Sequence, residues 1–476
     1  MSSSEVYTIF LKILRCNFKS FLHKVFNTLH PTQTFIDNWH IDLLGEYVQA
    51  IREKEVKRLI INMPPRSLKS ICVSVALPAW LLGHNPNLKI IVASYSQALS
   101  NKHSIDCKSI ILSKWYQDCF PDTRLMKGSN TKSKFVTTKH GFRFSTSILG
   151  TLTGEGADII IVDDPHTPLQ VLSKLKRERT ICWFKQTLMT RLNDRKSGCI
   201  IVVMQRLHIA DLSSELLQNP DLENQWTLVK IPAIAEESRK IKFAGFTYHR
   251  HAGEYLYPTL WTKKEVEMIK KEVGSYTFSA QYQQAPLSLN FGIIRYAWIS
   301  RYKNSKKLEL DAIYQSWDCA VKMGRYNDYT VCTTWGVIND TYYLLDVYRD
   351  RIEYPHLRSL VIGLAEQFKA KIILIEDKAA GQQLLQELKA LRMSIIPIQP
   401  KHDKMTRLIL SSPLFEARKI YLPEAATWLP EFEQELMNFP STIHDDQIDS
   451  TTQFLEWIQD NNLIGKEEIA CRIRIA

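Results

Sequence analysis

The chain has 476 residues, enough for two or three domains that each bury their own core. Its hydrophobic and charged fractions, 45% and 23%, are those of a globular protein and exclude a largely disordered one. A formal net charge of +11 favours an anionic partner, with nucleic acid ahead of a membrane surface. The nine cysteines show neither a C-x-x-C pair nor zinc spacing, which indicates buried thiols in a reducing compartment.

The first predicted element is an amphipathic helix at residues 5–29, where apolar and basic positions recur with a helical period. We expect it to pack on the first domain as a helical arm, residues 1–34, rather than to anchor the chain in a membrane. The sequence shows neither a signal peptide nor an apolar run of membrane-spanning length. A soluble, cytosolic protein is therefore expected.

Trp39 and His40 come just before a predicted helix at residues 41–52. An aromatic ring and an imidazole at this place could hold the adenine of a nucleotide whose phosphates bind the loop that follows. A satisfied polar cluster at the start of the helix explains the same residues equally well.

The next element has the layout of a phosphate-binding loop. A short apolar run ends in a Pro-Pro turn, and Lys69 and Ser70 then open an apolar run typical of a buried helix. In such a loop, backbone N–H groups hold the phosphates, Lys69 reaches the β/γ oxygens and the Ser70 hydroxyl ligates Mg²⁺. Met63 and Leu68 stand where the usual pattern has glycine. The alternative is a core strand that leads into a core helix with an exposed lysine.

A strand at 88–96, a long helix at 97–119 and a surface hairpin at 127–148 are predicted next. Four apolar residues then precede Asp163 and Asp164, which is typical of a buried parallel strand with polar groups at its carboxyl end. Asp163 is placed to hold Mg²⁺ and Asp164 to orient or deprotonate the attacking water. An Asp-Asp-Pro turn is the alternative, and the presence of Lys69-Ser70 upstream favours the functional interpretation.

Gln205 and Arg206 follow a third predicted strand, at residues 199–204. They could sense the γ-phosphate of the nucleotide or belong to an ordinary polar loop. Periodicity is weaker from residue 207 to 286, which we interpret as a subdomain and linker. Its length of about 80 residues is short for a second motor domain of ~150, which disfavours a two-lobed helicase.

The pattern then changes to that of an RNase H-like domain: three strands, then helices alternating with two further strands, and a closing helix. Asn339-Asp340 forms the predicted hairpin turn between the second and third strands. The predicted elements are 313–318, 330–337, 342–348, 356–368, 372–376, 382–391, 394–398, 405–417 and 446–459.

Carboxylates stand at the ends of these elements. Asp318 ends the first strand, Glu376 ends the fourth, and Asp445, Asp446 and Asp449 open the closing helix. Three acids at one sheet edge can hold two divalent ions ~4 Å apart that cut a phosphodiester. Asp446 is our preferred ligand and Asp449 the alternative, because they share one helix face. Each acid alone is explained as a surface or capping residue.

Four cations are expected to contact a DNA phosphate backbone on the same side of this domain. They are Lys378, Lys401, Lys404 and Arg407.

As an ordered set, these motifs resemble the large subunit of a tailed-phage (prophage) terminase, an ATP-driven DNA-packaging motor with a fused nuclease. The resemblance runs from about residue 35 to 455. It rests on residues 62–70 (NMPPRSLKS), 159–164 (IIIVDD), 204–208 (MQRLH), 282–286 (YQQAP), 318–322 (DCAVK), 376–381 (EDKAAG) and 444–449 (HDDQID).

The resemblance implies a P-loop ATPase, with Arg66 as the phosphate-loop arginine and Ser67 beside it in the ATP-binding loop, and a two-metal nuclease that cuts concatemeric DNA. It also implies double-stranded DNA, a small terminase subunit and a portal as partners, and a homo-oligomeric ring on the capsid. ATP and Mg²⁺, with Mn²⁺ as an alternative in the nuclease, are the implied cofactors. The chain departs from the family at Leu68, where glycine is usual, and at Asp164, where many relatives have Glu.

We therefore predict an α/β protein in which a P-loop NTPase domain with a parallel sheet precedes an RNase H-like nuclease domain. The predicted boundaries are 1–34 (arm), 35–285 (ATPase, with 207–285 as subdomain), 286–311 (linker), 312–460 (nuclease) and 461–476 (tail). The expected location is the host bacterial cytoplasm, with transient docking on the procapsid. The alternative functions are a helicase- or repair-type ATPase with a nuclease tail, and a non-catalytic DNA-binding remnant.

Overall fold

The computed structural model describes residues 2–128, 130–152, 154–218, 225–288, 292–303, 308–319, 329–378, 380–389, 391, 393–442 and 444–462. The chain divides into two compact units. The first contains Met1–Met268 and Tyr276–Leu287, and the second contains Ile269–Ser275 and Ser288–Ala476. Parts of two predicted motifs (residues 320–322 and 379) and most of the predicted tail (463–476) lie outside the described residues.

The first unit is built on a seven-stranded sheet with the order β3-β4-β2-β5-β6-β1-β7. All neighbouring strands are parallel except β3 and β4. The central strands are continuous apolar runs because both faces of a parallel sheet are covered. The strands are β1 Arg58–Asn62, β2 Lys89–Ser94, β3 Lys134–Val136, β4 Phe142–Ser147, β5 Ile159–Asp163, β6 Cys199–Met204 and β7 Thr227–Lys230.

Helices and a small hairpin surround this sheet. A π-helical segment, Ile71–Ala76, leads from the loop after β1 into α4. The α-helices are α1 Ser3–Cys16, α2 Phe18–Leu29, α3 Trp39–Arg52, α4 Leu77–His84, α5 Gln97–Leu112, α6 Lys114–Cys119, α7 Lys174–Trp183 and α8 Leu212–Leu217, and the hairpin is β8 Arg239–Phe243 and β9 Phe246–Arg250. Helix α9, Lys263–Gln281, is kinked at Gly274 and contains residues of both units. Among the described residues, no helix is both long enough and apolar enough to cross a bilayer.

Three predictions for this unit need correction. The single N-terminal helix is two helices, because the extended Asn17 ends α1 and its side chain accepts the Ser20 N–H at 2.7 Å to cap α2. The helix predicted at 97–119 breaks at the extended Ser113. The hairpin predicted at the surface is β3–β4, and β4 pairs with β2 inside the main sheet.

The second unit is built on a seven-stranded mixed sheet with the order β10-β16-β13-β12-β11-β14-β15. Strand β12 is antiparallel to both β11 and β13, and the remaining pairs are parallel. The strands are β10 Ser300–Tyr302, β11 Ala312–Asp318, β12 Thr330–Ile338, β13 Thr341–Asp350, β14 Ile372–Glu376, β15 Ile395–Ile398 and β16 Ile420–Pro423.

The helices of this unit are α10 Tyr354–Phe368, α11 Ala380–Lys389, α12 Lys404–Glu416, α13 Leu429–Asn438 and α14 Asp446–Asn462. The sequence did not predict β10, β16 or α13. Strand β10 lies in the predicted linker, where its three residues are too few to show a period. Strand β16 has only four residues, which is also too short for a periodic signal.

Candidate active sites

The loop between β1 and the π-helical segment has a tight backbone. Arg66 and Leu68 both lie in the left-handed region, with φ of 59° and 61°. This region favours glycine and costs other residues about 1–2 kcal/mol. Leu68 thus holds a backbone conformation that favours glycine. The Ser67 hydroxyl donates to the Pro64 carbonyl at 2.7 Å and closes the turn.

The loop brings Lys69 and Ser70 to the carboxyl end of β5, as the sequence predicted. The Lys69 Nζ lies 3.2 Å from Asp164 Oδ2. The Ser70 hydroxyl donates to Asp163 Oδ1 at 3.1 Å. The Ser74 hydroxyl, one turn further along, donates to Asp163 Oδ2 at 2.7 Å. The two halves of the predicted site, which are far apart in the chain, therefore form one cluster.

Burial is the largest influence on both carboxylates. It raises the pKa of Asp163 and of Asp164, and the nearby Lys69 opposes the rise in each case. Such a pair favours an added cation, because a divalent ion offsets the cost of burying charge. The Ser70 hydroxyl and the Asp163 carboxylate are hard oxygen donors of the kind that Mg²⁺ prefers. These residues fit a nucleotide-bound Mg²⁺.

Sequence reasoning missed the groups behind Asp163. His103 Nδ1 on α5 lies 3.5 Å from Asp163 Oδ2. The fully buried Arg143 on β4 also acts on this carboxylate and lowers its pKa. Arg143 stands in an alternating strand pattern that would suit a surface hairpin. Only the pairing of β4 with β2 places it inside.

Gln205 and Arg206 follow β6 at the same end of the sheet. The Gln205 N–H donates to Asp164 Oδ1 at 3.1 Å, so this loop supports the predicted water-orienting carboxylate. The Arg206 guanidinium instead pairs with the buried Asp211 at 2.9 Å. A contact between Arg206 and a γ-phosphate would have to break this ion pair. Arg206 is therefore the weaker of the two predicted sensors.

Trp39 and His40 are packed within the first unit. The Trp39 ring stacks on Tyr248 at 4.7 Å between centroids, and the Arg250 guanidinium lies over it at 5.5 Å. His40 is fully buried against Tyr257. The alternative that the sequence left open was a satisfied polar cluster, but the Trp39 indole nitrogen and both His40 ring nitrogens are buried without a hydrogen-bond partner among the described residues. The adenine contact of these two residues remains a prediction.

The acids of the second unit come together through strand register and helix docking. Strands β11 and β14 are parallel neighbours with Trp317 opposite Ile375, so Asp318 and Glu376 follow at the same edge. Buried hydroxyls attach α14 to this sheet: Ser316 and Ser450 exchange hydrogen bonds of 2.7 Å through their hydroxyls and carbonyls. This docking brings the start of α14 to the acidic edge.

The carboxylates of this edge influence one another's ionisation. The pKa of Asp318 is raised well above its usual value, first by burial and then by the charges of Asp449, Glu376 and Asp446. Burial also raises the pKa of Asp449, where Arg407 is the largest opposing influence. Buried carboxylates that lie close together repel one another when they are ionised. A divalent cation offsets this repulsion, so such carboxylates are suitable metal ligands.

The present side-chain arrangement is nevertheless not a ready metal cage. Among the described residues, no group of three or more His, Cys, Asp or Glu side chains is arranged to hold a metal ion. The reason is that cations of the chain itself neutralise the acids. Lys404 pairs with Asp449 and, at 2.6 Å, with Asp445. Metal binding at this cluster would require the carboxylates to turn away from these partners.

The predicted DNA-binding cations are thus engaged with acids. Lys378 pairs with Glu376, and Lys401 pairs with Asp460 at 2.7 Å. Arg407 pairs with Asp449, and its side chain is only 5% exposed. Arg407 is therefore the least accessible of the four predicted DNA contacts, and its contact with DNA stays a prediction.

One further functional candidate, Glu435 on α13, was missed. Its Oε1 accepts the backbone N–H groups of Gln447 (2.8 Å) and Ile448 (3.0 Å) in the first turn of α14. Its Oε2 accepts the Gln447 side-chain amide at 2.8 Å. Glu435 therefore caps the helix that carries Asp446 and Asp449. The helical pattern around Glu435 resembles that of any surface helix, so no local signal marked it.

The two sites and their sheets define a class of protein: an α/β chain with a P-loop NTPase unit followed by an RNase H-like unit. Residues 315–456 match the family model of the terminase RNaseH-like domain. A large terminase from a thermophilic bacteriophage is similar in structure, with a TM-score of 0.52 and 11% identity over 87% of this chain and 98% of that chain. The predicted fold class is confirmed.

Two further solved structures are similar. The HK97 bacteriophage large terminase has a TM-score of 0.38 and 12% identity, over 86% of this chain and 89% of that chain. The large terminase nuclease of the thermophilic phage G20c with bound magnesium has a TM-score of 0.26 and 15% identity, over 35% of this chain and 97% of that chain. No curated protein matches the chain in sequence. The predicted resemblance to a phage large terminase is confirmed.

Proposed function

We propose that the chain is a DNA-packaging ATPase–nuclease, the large subunit of a phage terminase. The observation that carries the proposal is the coexistence of two separate acidic sites. Lys69 and Ser70 meet Asp163 and Asp164 in the first unit. In the second, Asp318 and Glu376 end the neighbouring parallel strands β11 and β14, and the helix that carries Asp446 and Asp449 is attached to this sheet through Ser450 and Ser316. The terminase match of residues 315–456 supports the nuclease half, and the net charge of +11 supports a polyanionic substrate.

In the ATPase, Lys69 leaves Asp164 to bind the β/γ-phosphate oxygens while the loop N–H groups at Arg66 and Ser67 hold the phosphates. Ser70 and Asp163 would hold a magnesium ion, and such an ion would supply positive charge to the phosphates. Asp164, freed from Lys69 but still bound by the Gln205 N–H, orients the attacking water. Ser74 keeps Asp163 in place through its hydrogen bond.

In the nuclease, Asp318, Glu376 and Asp446 are the proposed metal ligands, with Asp449 as the alternative. Two divalent ions held there would activate water and stabilise the leaving oxygen of a phosphodiester. Asp318 is central, since the other acids all act on it. Lys404 and Arg407 balance the charge of Asp449 until metal binds.

The proposed cofactors are ATP with Mg²⁺, and Mg²⁺ or Mn²⁺ in the nuclease. The proposed partners are double-stranded DNA, a small terminase subunit, a portal protein and further copies of this chain in a ring. The proposed location is the host bacterial cytoplasm and the procapsid.

Two activities of the full-length chain test the proposal: Mg²⁺-dependent ATP hydrolysis with and without duplex DNA, and plasmid cleavage with Mn²⁺. Lys69→Ala should abolish the first and spare the second, and Asp318→Asn should do the reverse. A wild-type chain that binds DNA but shows neither activity would be the non-catalytic remnant. Strand separation in place of translocation would favour the helicase alternative.

A further inference from the structure

One arginine beside the acidic cluster is not engaged with an acid. Arg351 follows β13, is exposed, and pairs with no carboxylate among the residues that the structure describes. All four cations predicted to bind DNA are paired with acids. The β12–β13 side of the nuclease therefore offers a guanidinium that is not paired with an acid among the described residues.

Arg351 is held by an aromatic platform. Its guanidinium carbon lies 4.6 Å from the centroid of the Tyr329 ring, and that of Arg349 lies 4.0 Å from it. His444 meets the edge of the same ring at 5.3 Å. Arg349 is largely buried and pairs with the exposed Glu431. An arginine stacked on a ring keeps its charge while losing less side-chain freedom on binding.

Strand register places this platform next to the acids. Asp318 lies opposite Val331 on β12, and Val331 lies opposite Arg349 on β13. Asp318 and Arg349 are therefore separated by two inter-strand spacings, a distance of ~10 Å across the sheet. Directly opposite residues point to one face of a sheet, so Arg349 shares its face with Asp318. His444 connects the platform to the start of α14, two residues before Asp446.

We propose that Arg351, supported by Tyr329, is a phosphate-binding subsite for the DNA strand that runs from the acidic cluster towards β13. The subsite binds a backbone phosphate on one side of the scissile bond. It does not recognise base identity, because a single guanidinium stacked on an aromatic ring interacts only with the negative charge of the phosphate. This proposal rests on the proposed nuclease function. The contribution of the subsite to DNA affinity can nevertheless be measured without cleavage.

The first measurement is the affinity of the full-length chain for a duplex of mixed sequence in EDTA, over a range of salt concentrations. Arg351→Ala should weaken binding about 3- to 10-fold and lower the salt slope by about one phosphate contact. Arg351→Lys, which keeps the charge without the planar stack, should fall between. Tyr329→Ala should resemble Arg351→Ala, and Tyr329→Phe should resemble wild type.

Lys371→Ala is the matched control, because this exposed lysine precedes β14 at the end opposite Glu376. It should leave affinity and salt slope unchanged. In plasmid cleavage with Mn²⁺, Arg351→Ala should raise KM with little change in kcat. Equal affinity and salt slope for Arg351→Ala and Lys371→Ala would overturn the subsite. If the wild type does not cut DNA, the nuclease assignment fails, and the EDTA measurement still decides the subsite.

Discussion

The Lys69 ammonium lies 3.2 Å from the Asp164 carboxylate, although the two residues belong to distant parts of the chain. Lys69 is almost fully buried, so this ion pair is shielded from water. An incoming phosphate can replace the carboxylate as the partner of the lysine, and the released Asp164 carboxylate then keeps only the hydrogen bond from the Gln205 N–H. We infer that the pair is the resting state of the site and that ATP opens it.

Removing this lysine should abolish ATP turnover. We expect Lys69→Ala to lower ATP hydrolysis by on the order of 100-fold or more, because the phosphates lose their closest charge. Plasmid cleavage with Mn²⁺ should remain, since the nuclease acids belong to the second unit. Lys102→Ala, which removes an exposed lysine paired with Asp106, is the control. Unchanged hydrolysis in Lys69→Ala would refute the phosphate-loop assignment.

The two aspartates after β5 should have different phenotypes. Asp164→Asn should bind Mg-ATP nearly normally and hydrolyse it slowly, because only the orienting carboxylate is lost. Asp163→Asn should also weaken Mg-ATP binding, because it removes a proposed metal ligand. Calorimetric binding with a non-hydrolysable ATP analogue separates the two. Mild and equal effects would indicate a simple turn after a core strand.

Asp318→Asn and Glu376→Gln should each remove cleavage and leave ATP hydrolysis intact. In EDTA, Asp318→Asn should also raise the melting temperature, because it relieves repulsion among buried carboxylates. Added Mn²⁺ should stabilise the wild type more than the variant. Cleavage by Asp318→Asn at the wild-type rate would exclude the nuclease assignment.

Glu435 should matter through the helix that it caps. Glu435→Ala leaves two buried N–H groups of α14 without their acceptor, which we expect to cost about 1 kcal/mol or more. It should also weaken Mn²⁺ binding by roughly 10- to 100-fold, because Asp446 and Asp449 lose their fixed orientation. Glu435→Gln keeps one acceptor oxygen and should be intermediate. Gln434→Ala, which changes an exposed residue on the same helix, is the control. Loss of stability with unchanged Mn²⁺ affinity would show that Glu435 is only structural.

Acid should destabilise the first unit through His40. Burial lowers the pKa of His40 to about 3, so below pH ~6.5 the unfolded chain binds a proton that the folded chain does not. Stability should therefore fall as the pH drops from about 6.5 towards 3, by roughly 2 kcal/mol per buried histidine between pH 6.5 and 5. Urea unfolding of wild type and His40→Asn at about pH 7 and pH 5 measures this. The variant should show the smaller pH dependence, and the exposed His249→Asn should match wild type; equal dependence in all three would refute the assignment.

The sequence by itself determined the elements that carry chemistry. Continuous apolar runs end at Asp163 and Glu376, a mainly apolar run interrupted by Gln315 and Ser316 ends at Asp318, and each of these runs is a strand. Parallel strands of such sheets are buried on both faces, so a run of apolar residues predicts a strand. The polar residue that ends the run then predicts where the edge of the sheet lies. Short elements such as β10 and β16 carry too few residues for that signal.

Only the tertiary structure decided what each polar side chain faces. From the sequence, Arg407 and Lys404 were predicted to bind DNA because they are cationic. In the structure they pair with Asp449, because α12 packs beside α14. Glu435 has no sequence signature, yet it caps α14 from a neighbouring helix. The physical reason is that charge pairing and helix capping depend on distances between elements that are far apart in the chain. Local sequence periodicity does not determine those distances.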